Sequence, residues 1–312
     1  MKKTVTACLR VAGLVVVSFV ALAVGSVVSG VATPVAPTAT SPASSQATDN
    51  VLPSVLLLCV LVSSVFSWAI CRSHLRGWRL VLAVYAAHFG LGTFMLQIES
   101  AVFLPRHLPR GFVSQMMAMG AVSAVIFAPI AVWTWGRLGE ERGAEAGPSF
   151  RVPPGRRWPV RLAALAAAYV AIYFTAGYFV AYANPDVLAY YGDSHSVSFL
   201  AQLHRIWDHA PWAFPFQLLR GLLWIGFGLP LLLSFRGARP EGALLIGCLY
   251  SMWLVGLLIP NPYMPESVRL SHLVETLPSN FAFGCLVGWW LGRADPPRGS
   301  SSITVQTPTA VR

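Results

Sequence analysis

The stretch LPSVLLLCVLVSSVFSWAI, residues 52–70, contains no charged side chain. An α-helix of about 20 apolar residues is long enough to cross the hydrocarbon core of a bilayer. Further apolar runs of similar length lie on both sides of it, and only 11% of the 312 residues are charged. Soluble domains carry about 25% charged residues. The sequence therefore predicts an all-α integral membrane protein, with the lipid bilayer as its partner.

Arginine and lysine divide unevenly between the segments that join the apolar runs. Seventeen lie on the side that holds the first residue, and five lie on the other side. Such an excess marks the cytoplasmic side of a membrane protein. The pattern predicts a bundle of about eight transmembrane helices with the N- and C-termini cytoplasmic. It also explains the net charge of +10 without a nucleic-acid partner.

The composition divides the chain into four segments. Residues 1–32 are predicted to form an N-terminal transmembrane helix or signal anchor, because their apolar run exceeds the usual core of a signal peptide. Residues 33–50, rich in Pro, Ser and Thr, are predicted to form a disordered extracytoplasmic loop. Residues 51–293 are predicted to form a seven-helix transmembrane domain, and residues 294–312 are predicted to form a disordered cytoplasmic tail. An amphipathic surface helix is expected at 197–212.

The stretch NPYMPESVRLSHLVETLPSN, residues 261–280, places ionisable groups just ahead of the last apolar run. On a helix, His272 and Glu275 are neighbours one turn apart. Such a pair can supply two metal ligands, or a general base with its orienting carboxylate. Glu99 is a candidate third member. We therefore predict Glu99, His272 and Glu275 as catalytic residues, and His272 and Glu275 as metal ligands.

Three further residues are candidates for substrate binding: Arg220, Arg269 and Asn280. Arg220 lies about one turn inside an apolar run, where an unpaired charge is costly. Its partner is expected to be Glu99 or Glu275, with a cation–π contact to Trp224. A structural salt bridge between helices explains Arg220 equally well.

Two glycine and histidine patterns bear on packing and transport. His88, Gly92 and Glu99 share one face of a helix, which suits either a polar track into the bundle or a buried histidine. Gly284, Gly288 and Gly292 form a strip that predicts close helix packing within the chain.

Several segments together resemble an uncharacterised family of bacterial polytopic membrane proteins. They are Gln97-Ile-Glu99, Gly177-Tyr-Phe-Val-Ala-Tyr182 with Asn184-Pro185, Gln217-Leu-Leu-Arg-Gly-Leu-Leu-Trp224, and Asn261-Pro-Tyr-Met-Pro265 with Val268, Arg269, His272, Glu275, Ser279 and Asn280. The resemblance implies a bacterial plasma membrane and no particular activity.

Three functions are consistent with these observations. The first is a structural or accessory membrane protein, in which the charged residues form an outward-facing network that holds the bundle together. The second is a membrane-embedded enzyme, with or without a metal, whose site faces the extracytoplasmic side. The third is a proton-coupled transporter that uses the track from His88 to Glu99. Substrate, cofactor and oligomeric state stay open.

Overall fold

A computed structural model of the chain describes residues 2–31, 51–139, 157–192 and 197–292. The predicted disordered segments at 33–50 and 294–312 lie outside these ranges. The regular elements of the described residues are helices: α1 (Lys2–Ser29), α2 (Val51–Arg72), α3 (Gly77–Phe103), α4 (Phe112–Thr134), α5 (Trp158–Phe179), α6 (Pro185–Tyr190), α7 (Phe199–His209), α8 (Ala213–Ser234), α9 (Arg239–Ser251) and α10 (Glu266–Leu291). A π-helical segment, Gly90–Phe94, interrupts α3, and a 3₁₀ helix, Met252–Leu258, continues α9.

Seven helices among the described residues are long and apolar enough to cross a membrane. They are α1, α2, α3, α4, α5 with its extension to Ala183, α8, and α9 with its 3₁₀ extension. The prediction of an all-α, multi-pass membrane protein is confirmed at this level. Helix α10 is not among the seven, because its first turns are polar.

The helices run alternately between two ends of the bundle. We call the end where α3 finishes and α8 and α10 begin the site end, and the other the basal end. His88 lies deep between them, 4% exposed. Its ring centroid is 5.7 Å from that of Phe66, 5.0 Å from that of Phe127 and 4.9 Å from that of Trp253. The centre of α3 is therefore packed against aromatic rings.

The glycine strip of α10 packs against α9, as the sequence predicts. A Cβ atom on Gly284 would lie 2.6 Å from the carbonyl oxygen of Ile246, and one on Gly288 would lie 2.5 Å from the Cα of Ala243. No side chain fits at those separations, so the two backbones come together only because both positions are glycine. The closeness fixes α10 on the body of the bundle.

A set of backbone and arginine contacts joins three connections at the basal end. Ser73 and Phe235 form an isolated antiparallel bridge. Beside it, the amide of Arg236 donates to the carbonyl of Arg72 at 2.6 Å. The Arg137 guanidinium donates to the carbonyl of Ser73 at 3.0 Å. We call these contacts the basal clamp, because they tie the α2–α3, α4–α5 and α8–α9 connections together.

At the site end, the segment 184–191 packs on the first turns of α10. Asn184 caps α6 by accepting from the amide of Asp186 at 3.0 Å, and its Nδ2 donates to Ser271 Oγ at 2.7 Å. Ser267 Oγ donates to a carboxylate oxygen of Asp186 at 2.6 Å. We call this segment the cap, because it packs over the first turns of α10.

Helix α7 has the amphipathic pattern that the sequence predicts for 197–212. Ser198 accepts a hydrogen bond from the amide of Ala201 and so begins the helix. Leu200 and Trp207 are 76% and 61% exposed, whereas Gln202 is turned into the protein. One apolar edge of α7 is therefore left uncovered by the described part of the chain.

Candidate functional site

Glu99 and Arg220 form an ion pair between α3 and α8. Nη1 of Arg220 donates to one carboxylate oxygen of Glu99 at 3.0 Å, and Nη2 donates to the other at 2.6 Å. Nη1 also donates to Oε1 of Gln217, one turn earlier on α8, at 3.0 Å. The Arg220 side chain is 3% exposed and that of Glu99 is 33% exposed. Of the two predicted partners, Glu99 is thus the one that holds Arg220.

Three aromatic rings surround the Arg220 guanidinium. Its Cζ lies 5.9 Å from the ring centre of Tyr169, 5.8 Å from that of Tyr173 and 6.0 Å from that of Phe216. The predicted cation–π partner, Trp224, is not among these rings. Side chains on a helix point back towards its N-terminus, so the guanidinium reaches towards Phe216 and away from Trp224.

Tyr191, His272 and Glu275 form a hydrogen-bonded chain between the cap and α10. The Tyr191 hydroxyl lies 3.1 Å from Nε2 of His272, and Nδ1 of His272 lies 2.9 Å from a carboxylate oxygen of Glu275. Burial raises the pKa of the Tyr191 phenol, so that its hydroxyl keeps its proton. In the tautomer that accepts from Tyr191 at Nε2, Nδ1 carries the proton and donates to Glu275.

The ion pair and the hydrogen-bonded chain lie in one region of the site end. Glu99 and Arg220 are both near enough to Glu275 to act on it electrostatically, and Glu99 acts likewise on Tyr191. Glu275 is 6% exposed, and its other carboxylate oxygen faces Gly177 of α5. The predicted catalytic residues Glu99, His272 and Glu275 are therefore brought together with Arg220. We call these four residues and Tyr191 the polar cluster.

Arg269 makes a capping contact, and its predicted role in substrate binding stays a prediction. Its Nη1 donates to the carbonyl of Leu257 at 2.8 Å, at the end of the 3₁₀ helix Met252–Leu258. The side chain is directed to that helix end, where a positive charge also complements the exposed carbonyl dipoles. Arg269 is 5% exposed. This geometry makes it a cap of the 3₁₀ helix.

Asn280 lies one turn beyond Glu275, in the part of α10 that follows Pro278. Its Nδ2 donates to the carbonyl of Thr276 at 2.9 Å, and Ser279 Oγ donates to the carbonyl of Glu275 at 2.7 Å. These carbonyls lie next to the one that Pro278 deprives of its amide partner. Oδ1 of Asn280 is buried without a hydrogen-bond partner among the described residues. A substrate contact for Asn280 stays a prediction.

The metal prediction rests on His272 and Glu275 alone. The described residues contain no group of three or more His, Cys, Asp or Glu side chains placed to hold a metal ion. A metal bound at Nε2 of His272 would have to displace the hydroxyl of Tyr191. Metal binding here stays a prediction.

No pattern in the sequence points to Tyr191, although its hydroxyl completes the polar cluster. Tyr191 follows a short helix in a connection, where neither helical spacing nor an apolar run singles out a residue. Tyr169 and Tyr173 lie on the face of α5 that meets α8, and they read in the sequence as ordinary helix aromatics. Their position beside Arg220 depends on how two distant helices pack.

The polar cluster can hold and move protons, because the imidazole of His272 lies between a phenol and a carboxylate. It can equally serve to fasten helices, since the Glu99–Arg220 pair links α3 to α8 and the Tyr191–His272 contact links the cap to α10. No family model matches the chain, and neither a curated protein nor a solved structure matches it.

Proposed function

We propose that the chain is a multi-pass protein of the bacterial plasma membrane with eight spans, of which α10 is the eighth. Helix α10 has 26 residues, a length of about 39 Å at 1.5 Å per residue, which exceeds a hydrocarbon core of about 30 Å. Its polar first turns contact the cap, and its last turns are apolar. The bias of Lys and Arg places both termini in the cytoplasm and the site end outside.

We further propose that its primary role is structural or accessory, with the polar cluster holding the outward ends of the helices in a fixed arrangement. The observation that carries this proposal is the pairing of the charged and titratable groups with one another. Both oxygens of Glu99 accept from Arg220, and both ring nitrogens of His272 are hydrogen-bonded. A network whose strongest groups are already paired is suited to fastening α3, α8, α10 and the cap.

The experiment compares stability with biological effect in cells that depend on the protein. Glu99→Gln alone is expected to lower the thermal stability, and Glu99→Gln combined with Arg220→Met to restore part of it, because the second change removes the unpaired buried charge. If the polar cluster has a structural role, the growth of the cells should fall and recover in step with the thermal stability of these variants. Glu266→Gln makes the same carboxylate-to-amide change at an exposed position and serves as the control.

A stable double variant that still fails to support growth would contradict the structural role. That result would mean that the Glu99–Arg220 pair is needed for its chemistry as well as for its packing.

A second candidate, a membrane-embedded enzyme with an outward-facing site, is favoured by the Tyr191–His272–Glu275 chain. In this arrangement Glu275 orients His272, and a substrate that displaced the Tyr191 hydroxyl would meet the free lone pair of Nε2. The test is metal analysis of purified protein beside the His272→Ala variant, together with a hydrolase and transferase screen of both. Stoichiometric metal, or turnover, that is present in the native protein and lost in His272→Ala would support this candidate. If neither metal nor turnover is found, the structural role is the one that remains.

The transporter alternative has less support from the packing. A proton or substrate path along α3 would have to pass His88, which is enclosed by Phe66, Phe127 and Trp253. If the native protein carries protons into vesicles and the His88→Phe variant does not, the result would support the transporter alternative.

A further inference from the structure

His88 and Glu99, both on α3, face different parts of the bundle. The side of α3 that carries His88 meets Trp253, since the two ring centroids are 4.9 Å apart. Gly92 lies on the same side, where a Cβ atom would lie 2.7 Å from the Trp253 ring. Residues seven apart share one face of an α-helix. An unbroken α-helix would therefore bring Glu99, seven residues after Gly92, back to the side of Trp253.

The observed partner of Glu99 lies on another side of α3. Arg220 belongs to α8, and α8 comes close to α3 at Gly90, where a Cβ atom would overlap the ring of Phe227. Two residues turn an α-helix by about 200°, so the side of Gly90 is nearly opposite to that of Gly92. Glu99 thus pairs with a helix that regular spacing would turn it away from.

The π-helical segment Gly90–Phe94 accounts for this change of face. The amide of Met95 donates to the carbonyl of Gly90, five residues earlier, whereas an α-helix bonds four residues earlier. The wider turn takes up one extra residue. At about 100° per residue, it turns the rest of α3 by roughly that angle relative to regular spacing. The site end of α3 therefore presents Glu99 to α8, and Glu99 does not share the face of His88.

Gln97 shows the same displacement. It lies seven residues after Gly90, so regular α-helical spacing would place it on the side of α8, towards Arg220. In the structure it is 8% exposed, and its Oε1 is buried without a hydrogen-bond partner among the described residues. The guanidinium of Arg220 instead donates to both carboxylate oxygens of Glu99. The π-helical segment thus brings the carboxylate, and not the amide, to the buried cation.

We propose that the π-helical segment is a register device, one residue inserted into an otherwise regular helix, which positions Glu99 for Arg220. Segments of this kind are rare, and they occur frequently at functional sites. Gly90 and Gly92 are positioning residues, because they let the segment fit between α8 and Trp253. The segment acts through Glu99 and lies outside the polar cluster. The proposal stands whether that cluster is structural or catalytic.

The first experiment removes the extra residue. Deletion of Thr93 should leave a regular α-helix in which His88 and Glu99 keep their present faces. The readout is the energetic coupling of Glu99 and Arg220, obtained from the melting temperatures of Glu99→Gln, Arg220→Met and the double variant. We expect the same coupling in the native chain and in the deletion variant, because the ion pair is kept.

The control is deletion of Val122, a side chain of the same shape as Thr93, from the regular helix α4. That deletion turns one half of α4 against the other and should lower the melting temperature far more than deletion of Thr93. Equal losses in the two deletion variants would overturn the proposal. Loss of the Glu99–Arg220 coupling in a stable variant without Thr93 would overturn it too.

A second experiment keeps the length of the chain. Gln97→Glu combined with Glu99→Gln moves the carboxylate to the position that regular spacing would aim at Arg220. We expect this combined variant to melt no higher than Glu99→Gln alone, because the carboxylate at position 97 cannot reach the buried cation. A higher melting temperature would show that α3 has regular register at this level and would overturn the proposal.

Discussion

Arg220 and Glu99 form a bidentate ion pair, in which Nη1 of Arg220 lies 3.0 Å from Oε1 of Glu99 and Nη2 lies 2.6 Å from Oε2. Their surroundings differ, because Arg220 is enclosed and Glu99 is one-third exposed. A charge left alone costs more where water cannot reach it. The two members of the pair should therefore respond differently to substitution.

Glu99→Gln is expected to destabilise the protein more than Arg220→Met does. The first change leaves a buried cation without its counter-ion, at a cost of about 3–5 kcal/mol. The second leaves a carboxylate that water can solvate. Thermal unfolding in detergent measures both variants. Equal losses, or a larger loss for Arg220→Met, would contradict the asymmetry.

Arg269→Met should loosen the end of the 3₁₀ helix Met252–Leu258. The guanidinium holds the carbonyl of Leu257, and a cation at a partly buried helix end contributes about 1–2 kcal/mol. Hydrogen exchange should quicken in residues 252–259 while the rest of the bundle is unchanged. Arg110→Met, at an exposed position, is the control and should change nothing. If hydrogen exchange in Arg269→Met quickens no more in residues 252–259 than in the rest of the bundle, Arg269 does not cap the 3₁₀ helix.

Gly288→Val should separate α10 from α9. Its Cβ would overlap Ala243, and overpacking typically costs about 1–3 kcal/mol, with more expected where backbone is the obstacle. Gly226→Ala is the control, because nothing lies within 4 Å of a Cβ at that helical position. Alanine should be neutral or stabilising there, by up to about 1 kcal/mol. The melting temperatures of the two variants should move in opposite directions or differ widely.

Tyr191→Phe should expose Nε2 of His272. The lost hydrogen bond is worth about 1 kcal/mol, so the protein stays folded. The rate of His272 modification by diethyl pyrocarbonate should rise. Tyr190→Phe removes a similar bond, to the carbonyl of Tyr263 at 2.9 Å, and should leave the rate unchanged. An unaltered rate in Tyr191→Phe would mean that the hydroxyl does not cover His272.

Cysteine labelling tests the eight-span topology. In a variant without the native cysteines, Asn261→Cys should react with a membrane-impermeant maleimide added to intact cells. Arg236→Cys and Ser300→Cys should react only after the cells are opened. Labelling of Ser300→Cys from outside would show that α10 does not cross the membrane.

Much of the fold could be predicted from the sequence because apolar length alone defines a membrane helix. The helical domain predicted at 51–293 begins with the observed helix Val51–Arg72, and its predicted end lies two residues after Leu291, where the last observed helix ends. Helix α1 begins earlier than the apolar run, because Lys2 and Arg10 extend the helix beyond the hydrocarbon. Positions such as Gly284 could be anticipated too, since small residues at a four-residue spacing have one main use in a membrane.

The site could be predicted only where one helix carries the information. His272 and Glu275 are one turn apart, so their contact follows from helical geometry. Arg220 had two possible carboxylate partners, and the choice of Glu99 depends on how α3 and α8 pack. Tyr191 lies on a connection, and no periodic pattern indicates where its hydroxyl points. The cation–π prediction for Trp224 was wrong because sequence spacing alone ignores the direction of side chains along a helix.

The basal clamp has a consequence for large-scale motion. Ser73 lies in the connection between the second and third helices, and Phe235 lies near the start of the connection that leads into α9. The chain before residue 139 and the chain after residue 157 are thus pinned to each other at one mouth by a backbone bridge. The Glu99–Arg220 pair pins them again at the opposite mouth. A rocking movement of one half of the bundle against the other would have to break one of these two contacts in every cycle. The two contacts therefore favour a single conformation of the bundle.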